Sequence, residues 1–135
     1  METCTDCVML IDDSEIDIFI SKKILEVNHF SRDIVTTTSP REALDMLKTA
    51  RNGSIPELIF LDLNMPVIDG FRFLSEFAQL PNVVRDQIGI VVLTSSENDM
   101  DRDMASQSTS VIEYVSKPLT DEKVTKIRRM IIRAS

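Results

Sequence analysis

The chain has 135 residues, a hydrophobic fraction of 43% and a net charge of −7. That length fits one domain with a single core, and the acidic balance disfavours general nucleic-acid binding and adhesion to anionic membranes, both of which need a positive field. No apolar run approaches the roughly 20 residues of a membrane span, and an N-terminus carrying Glu2 and Asp6 without a basic region is not a signal peptide, so the expected location is cytoplasmic.

Residues 1–7 read as a lead-in. They contain a CxxC, Cys4-Thr5-Asp6-Cys7. A thioredoxin-type pair lies after a strand at a helix N-terminus, whereas this one lies before the first strand. A zinc site needs two more ligands, and the remaining soft candidate is His29, which reads instead as a polar loop residue. The first strand is expected over Val8 to Ile11, followed by Asp12-Asp13. Ser14 caps a helix over Glu15 to Val27. Ile16, Phe19, Ile20, Ile24 and Val27 recur at helical spacing and predict its buried stripe, with Ile18 and Leu25 at the edge of the core. Asn28-His29 ends the helix. Asp33 to Thr37 is a short strand, and Ser39-Pro40-Arg41-Glu42 opens a second helix with a cap, Pro at the first position and a capping-box Glu. Ala43, Leu44 and Leu47 form its apolar face, and Asn52-Gly53 with Pro56 closes the loop.

Leu58-Ile59-Phe60-Leu61 runs without polar alternation into Asp62, the pattern of a strand buried on both faces in a parallel sheet. After Pro66, a helix over roughly 71–78 turns Phe71, Leu74 and Phe77 inward. Pro81 to Gln87 connects to a strand over Ile88 to Leu93, which ends in Thr94-Ser95-Ser96. Glu97 to Gln107 reads as a polar, lightly anchored helix with Met100 and Met104 as its apolar contacts. Val111 to Val115 is the last strand, leading into Ser116-Lys117-Pro118. Thr120 caps a terminal helix with Val124, Ile127 and Ile131 at core spacing. Its basic run Lys123, Lys126, Arg128, Arg129 and Arg133 reads as a solvated face complementing the helix C-terminus. Five strands alternating with five helices imply right-handed crossovers and a doubly wound parallel α/β sheet with helices on both faces.

Such a sheet gathers its strand ends at one edge, where ligands bind. Asp12, Asp13, Asp62, Thr94 and Lys117 all fall there. Three carboxylates in one cleft repel. A hard divalent cation relieves this, and Mg²⁺ takes one or two carboxylates while keeping waters and phosphate oxygens. A carboxylate can act as a nucleophile and form an aspartyl-phosphate, with a cation and Lys117 neutralising the transferring group. The Thr94 hydroxyl could donate to a phosphoryl oxygen.

Asp12-Asp13, Asp62-Leu63-Asn64-Met65-Pro66 with Asp69-Gly70, Thr94-Ser95, and Tyr114-Val115-Ser116-Lys117-Pro118 together resemble the signature of the CheY-like receiver domain of bacterial two-component response regulators. The resemblance spans essentially the whole chain, so residues 8–135 are expected to form a single-domain receiver with the flavodoxin-like strand order 2-1-3-4-5. It implies that Asp62 is the phosphoacceptor, charged by a histidine kinase or a histidine phosphotransfer protein. It implies Mg²⁺ held by Asp13, Asp62 and the Asn64 main-chain carbonyl, with Asp12 acting through a water. Lys117 would pair with the phosphoryl group, Thr94 and Tyr114 would form the switch pair, and Asn64 and Ser96 would stand at positions tuning the phosphorylated lifetime. The Lys117-Pro118 bond is expected cis. The downstream partner is an unnamed protein, met on a surface of the helix 97–107, the last strand and the last helix. Ser108-Thr109-Ser110 departs from the small Gly-Ala pair often found before the last strand. Two other readings remain: a constitutive binding module on the same fold, and an aspartate-nucleophile phosphatase. The latter wants a general acid where the chain has Asn64, and a Gly-rich phosphate loop that the sequence lacks.

Overall fold

A computed structural model describes residues 3–50, 55–62, 69–94 and 110–134. Five strands, β1 (Thr5–Ile11), β2 (Ser31–Thr37), β3 (Leu58–Asp62), β4 (Gly89–Thr94) and β5 (Val111–Ser116), form one parallel sheet in the order β2-β1-β3-β4-β5. The helices among the described residues are α1 (Glu15–Val27), α2 (Pro40–Thr49), α3 (Asp69–Phe77), the one-turn α4 (Asn82–Arg85) and α5 (Asp121–Ala134). The expected helix over 97–107 lies outside the described residues, and the short α4 falls within the expected connector. β1 begins at Thr5, three residues before the expected start, because Thr5 and Cys7 already pair with Ser31 and Asp33 of β2.

Alternation along the strands divides the core into two layers. Met9, Ile11, Ile59, Leu61, Ile90 and Val92 face the side covered by α2, α3 and α4, where Ala43, Leu44, Leu47, Phe73, Leu74, Phe77 and Val84 pack. Val8, Leu10, Leu58, Phe60, Val91 and Leu93 face the side covered by α1 and α5, with Leu25, Val124 and Ile127. β3 is buried at all five residues, so its unbroken apolar run is what a middle strand covered on both faces requires. The capping residues do what their chemistry dictates: Ser14 Oγ accepts from the Asp17 N–H at 3.2 Å and Ser39 Oγ from the Glu42 N–H at 3.1 Å.

Helix α1 is turned half a revolution from the expected orientation. Ile16, Phe19 and Val27 are 72%, 69% and 62% exposed, and Ile20 is 44% exposed. Of the expected stripe, Ile24 alone packs on the core. The buried residues are Ser21 and Leu25, with Ile18 beside them over the sheet. The helix carries two apolar stripes, and periodicity does not choose between them. Ser21 decides: its small side chain lets the helix lie close against Asp12, Phe60 and Asp62, leaving a space of only about 10 Å³. The helix ends in a C-terminal motif in which the Phe30 N–H donates to Leu25 O and the His29 N–H to Glu26 O. His29, exposed in this loop as expected, takes the left-handed φ of 50° that closes it.

Candidate carboxylate–lysine site

The winding direction reverses between β1 and β3, which are neighbours, so their carboxyl ends border the crevice of the sheet. Asp12 follows the last residue of β1, and its N–H donates to Thr37 O at 3.2 Å across to β2. Its Oδ1 accepts the Ser14 N–H at 2.9 Å, fixing the turn into α1. Asp62 is the last residue of β3. Asp12 is 7% and Asp62 3% exposed, while Asp13 faces solvent. One carboxylate oxygen from each of the three lies within 4.8 Å of the others. Three such charges at this separation need a counter-charge.

Lys117 provides one. Its Nζ donates to Asp12 Oδ2 at 2.7 Å and Asp17 Oδ2 at 2.9 Å, and stands 3.3 Å from Asp62 Oδ2. The Lys117-Pro118 bond is cis. Burial alone would lower the Lys117 pKa. The hydrogen bonds to Asp12 and Asp17 and the charges of Asp62 and Asp12 outweigh it and hold the pKa above the ordinary 10.5. The ammonium is therefore a permanent charge at neutral pH. The acidic triad offers hard oxygen donors and has no soft ligand, a set suited to Mg²⁺ or Mn²⁺.

The structure thus brings together Asp12, Asp13, Asp62 and Lys117 as expected, and adds Asp17, which the sequence reading missed. Asp17 reads locally as a first-turn acid favouring the helix dipole; its partner lies 100 residues away. Thr94 ends β4 in register with Ser116, and its side chain is outside the described residues, as are Asn64 and Ser96. Tyr114 sits on β5 opposite Val92 and packs, half-buried, against the α2–α3 layer.

Two other groups of residues take structural roles. Cys4 packs toward the α1–α5 layer, while Cys7 shares its strand face with Met9 and Ile11 of the opposite layer. Burial, first of all, raises both thiol pKa values, so neither is an activated thiolate. The basic residues of α5 are not simply a solvated face. Lys123 Nζ donates to Ser116 O at 2.7 Å and Pro118 O at 2.9 Å, bracketing Lys117. Lys126 pairs with Glu113 at 3.7 Å. Arg128 donates to Asn28 O and lies 5.9 Å over the Phe30 ring.

A doubly wound sheet with a carboxylate triad and a lysine at the ends of β1, β3 and β5 defines an α/β domain whose chemistry lies at its strand ends. The chain belongs to the response regulator receiver domain family, whose model matches residues 8–129. It is 32% identical over 113 residues to response regulator Rcp1 of Synechocystis sp., covering 82% of this chain and 75% of that protein. A structure of the Mn²⁺-bound form of Rcp1 has a TM-score of 0.71 at 28% identity, covering 93% of this chain and 91% of that one. A two-component response regulator structure from Cytophaga hutchinsonii gives a TM-score of 0.85 at 30% identity, covering 98% and 99% of the two chains. The chain also matches sensor histidine kinase CheAY of Helicobacter pylori at 32% identity over 127 residues, 93% of this chain but 15% of that protein's length. Among the described residues, no helix is long and apolar enough to cross a membrane.

Proposed function

We propose that this chain acts as a receiver that takes a phosphoryl group on Asp62 from a phosphohistidine and passes the signal by protein contact. One observation carries the reading: a buried carboxylate at the end of the central strand shares a cluster with two others, 3.3 Å from an ammonium locked in its charged form. The Asp62 oxygen attacks phosphorus, a P–O bond forms, and the P–N bond to the donor histidine breaks, leaving its electron pair on the imidazole. Lys117 donates to the phosphoryl oxygens and balances their charge. Asp13 and Asp62 would hold Mg²⁺ together with the Asn64 carbonyl, and Asp12 through a water. When bound, the cation supplies charge neutralisation of the phosphoryl oxygens. Thr94 and Tyr114 are then the switch pair, biasing two pre-existing arrangements of a surface that includes β5 and α5. Asn64 and Ser96 would set how long the modified state lasts.

Intact-mass spectrometry with acetyl phosphate and MgCl₂ tests this. A single phosphoryl adduct is expected on the native chain and none on Asp62→Asn or in excess chelator. No adduct on the native chain would sink the reading in favour of a constitutive binding module.

The exposed face of α1 fits the phosphodonor. Ile16, Phe19, Ile20 and Val27 form an apolar strip on the helix whose first turn carries the site residue Asp17. Four side chains fall well short of the roughly 800 Å² per partner of a stable interface, which suits a transient transfer complex better than a dimer. Phe19→Asp is expected to slow transfer from a phosphorylated histidine phosphotransfer domain by about tenfold. Equal transfer rates for native and variant chains would place the donor elsewhere.

A further inference from the structure

We propose that Asp17 is a positioning residue for the metal site: it shares the Lys117 ammonium with Asp12 and Asp62 and so holds a place for it when a divalent cation takes those carboxylates. This rests on the metal-assisted reading above and adds a residue to it. An ammonium has three N–H donors and no acceptor. Here it faces three carboxylates, at 2.7 Å (Asp12), 2.9 Å (Asp17) and 3.3 Å (Asp62). Two of those three belong to the triad that would serve the cation, while Asp17 lies outside it.

Lys117 and a cation therefore compete for the same two carboxylates. Both are positive, both need oxygen donors, and the lysine is tethered in place with its side chain only 15% exposed. Asp17 changes the balance of that competition. It gives Lys117 a partner that the cation does not use, so metal entry displaces the ammonium toward Asp17 and does not strand it without one. The helix fixes Asp17 for this role: its N–H is tied to the Ser14 cap at 3.2 Å, and the Ser14 N–H is itself held by Asp12 Oδ1 at 2.9 Å. The capping turn thus links the first metal-site carboxylate to the residue that shares its lysine.

The test is calorimetric titration of the unphosphorylated full chain with MgCl₂, in enough salt to screen remote charges. Asp17→Asn should weaken Mg²⁺ binding by about threefold, the scale expected for a half-exposed ion pair. In a Lys117→Met background the same substitution should have no effect, since the residue through which Asp17 acts is gone. Asp17→Glu, which keeps the charge on a longer arm, should recover part of the native affinity. Unchanged affinity in Asp17→Asn overturns the proposal. An equal loss in both backgrounds also overturns it, reducing Asp17 to a remote negative charge. Absence of Mg²⁺ binding by the native chain would instead overturn the underlying metal-site reading.

Discussion

Lys117→Met is expected to lower the thermal midpoint in chelator by about 10 °C, on the order of 3 kcal/mol, and MgCl₂ should restore much of the loss. The substitution leaves Asp12, Asp13 and Asp62, with carboxylate oxygens within 4.8 Å of one another, without the cation that holds them together. Removing one partner of a largely buried ionic cluster costs more than the intact cluster contributes, because uncompensated charge stays behind. A divalent cation supplies the missing charge, so the variant should gain more from MgCl₂ than the native chain, in which the lysine contends for the same oxygens. The pH dependence has a definite sign. The folded-state pKa of Lys117 is raised above 10.5, so its contribution is fully present below that pH and is lost only as the pH rises through the higher folded value. The stability gap between native and variant chains should therefore hold constant from neutral pH to about 10 and shrink beyond it. A chelated variant as stable as the native chain would show that Lys117 does not neutralise the triad.

The second large effect concerns α1. Leu25→Ala is expected to cost about 3 kcal/mol in urea unfolding, whereas Phe19→Ala should stay within about 0.5 kcal/mol. Leu25 is fully buried, against Val8, Leu10, Phe30 and Phe60 among others, while Phe19 is 69% exposed. The two residues lie six positions apart on one helix, about 120° around its axis, so the pair reports its rotation directly. The reverse ranking would turn the helix back to the face of Ile16, Phe19, Ile20 and Val27. Phe19→Ala leaving stability intact is also what makes the strip on α1 available to a partner.

The contrast between Leu25 and Phe19 shows where the sequence stops being informative. Helix α1 carries apolar residues on two faces of similar hydrophobicity, and Ser21, the small polar residue that permits the close approach, looks from the sequence like a surface residue. The strand β3 behaved differently. Its five buried residues were legible because only a strand covered on both faces uses an uninterrupted apolar run, and because the first carboxylate in that run marks where it leaves the core. Helices α2 and α5 were legible for a related reason: each has one apolar face only, so Leu44 and Leu47, or Val124 and Ile127, had nowhere else to go.

What the sequence alone determined about this protein is the doubly wound sheet and the identity of four strand-end residues, Asp12, Asp13, Asp62 and Lys117. Polar groups interrupt apolar runs there, and that local interruption is written into the order of residues. The rotation of α1, the bond from Asp17 to Lys117 across 100 residues, the tethering of Lys123 and Arg128, and the placement of Cys4 and Cys7 in opposite layers were decided by tertiary structure. Each depends on which distant segments pack together, and the energies that choose among local alternatives arise only once those segments meet.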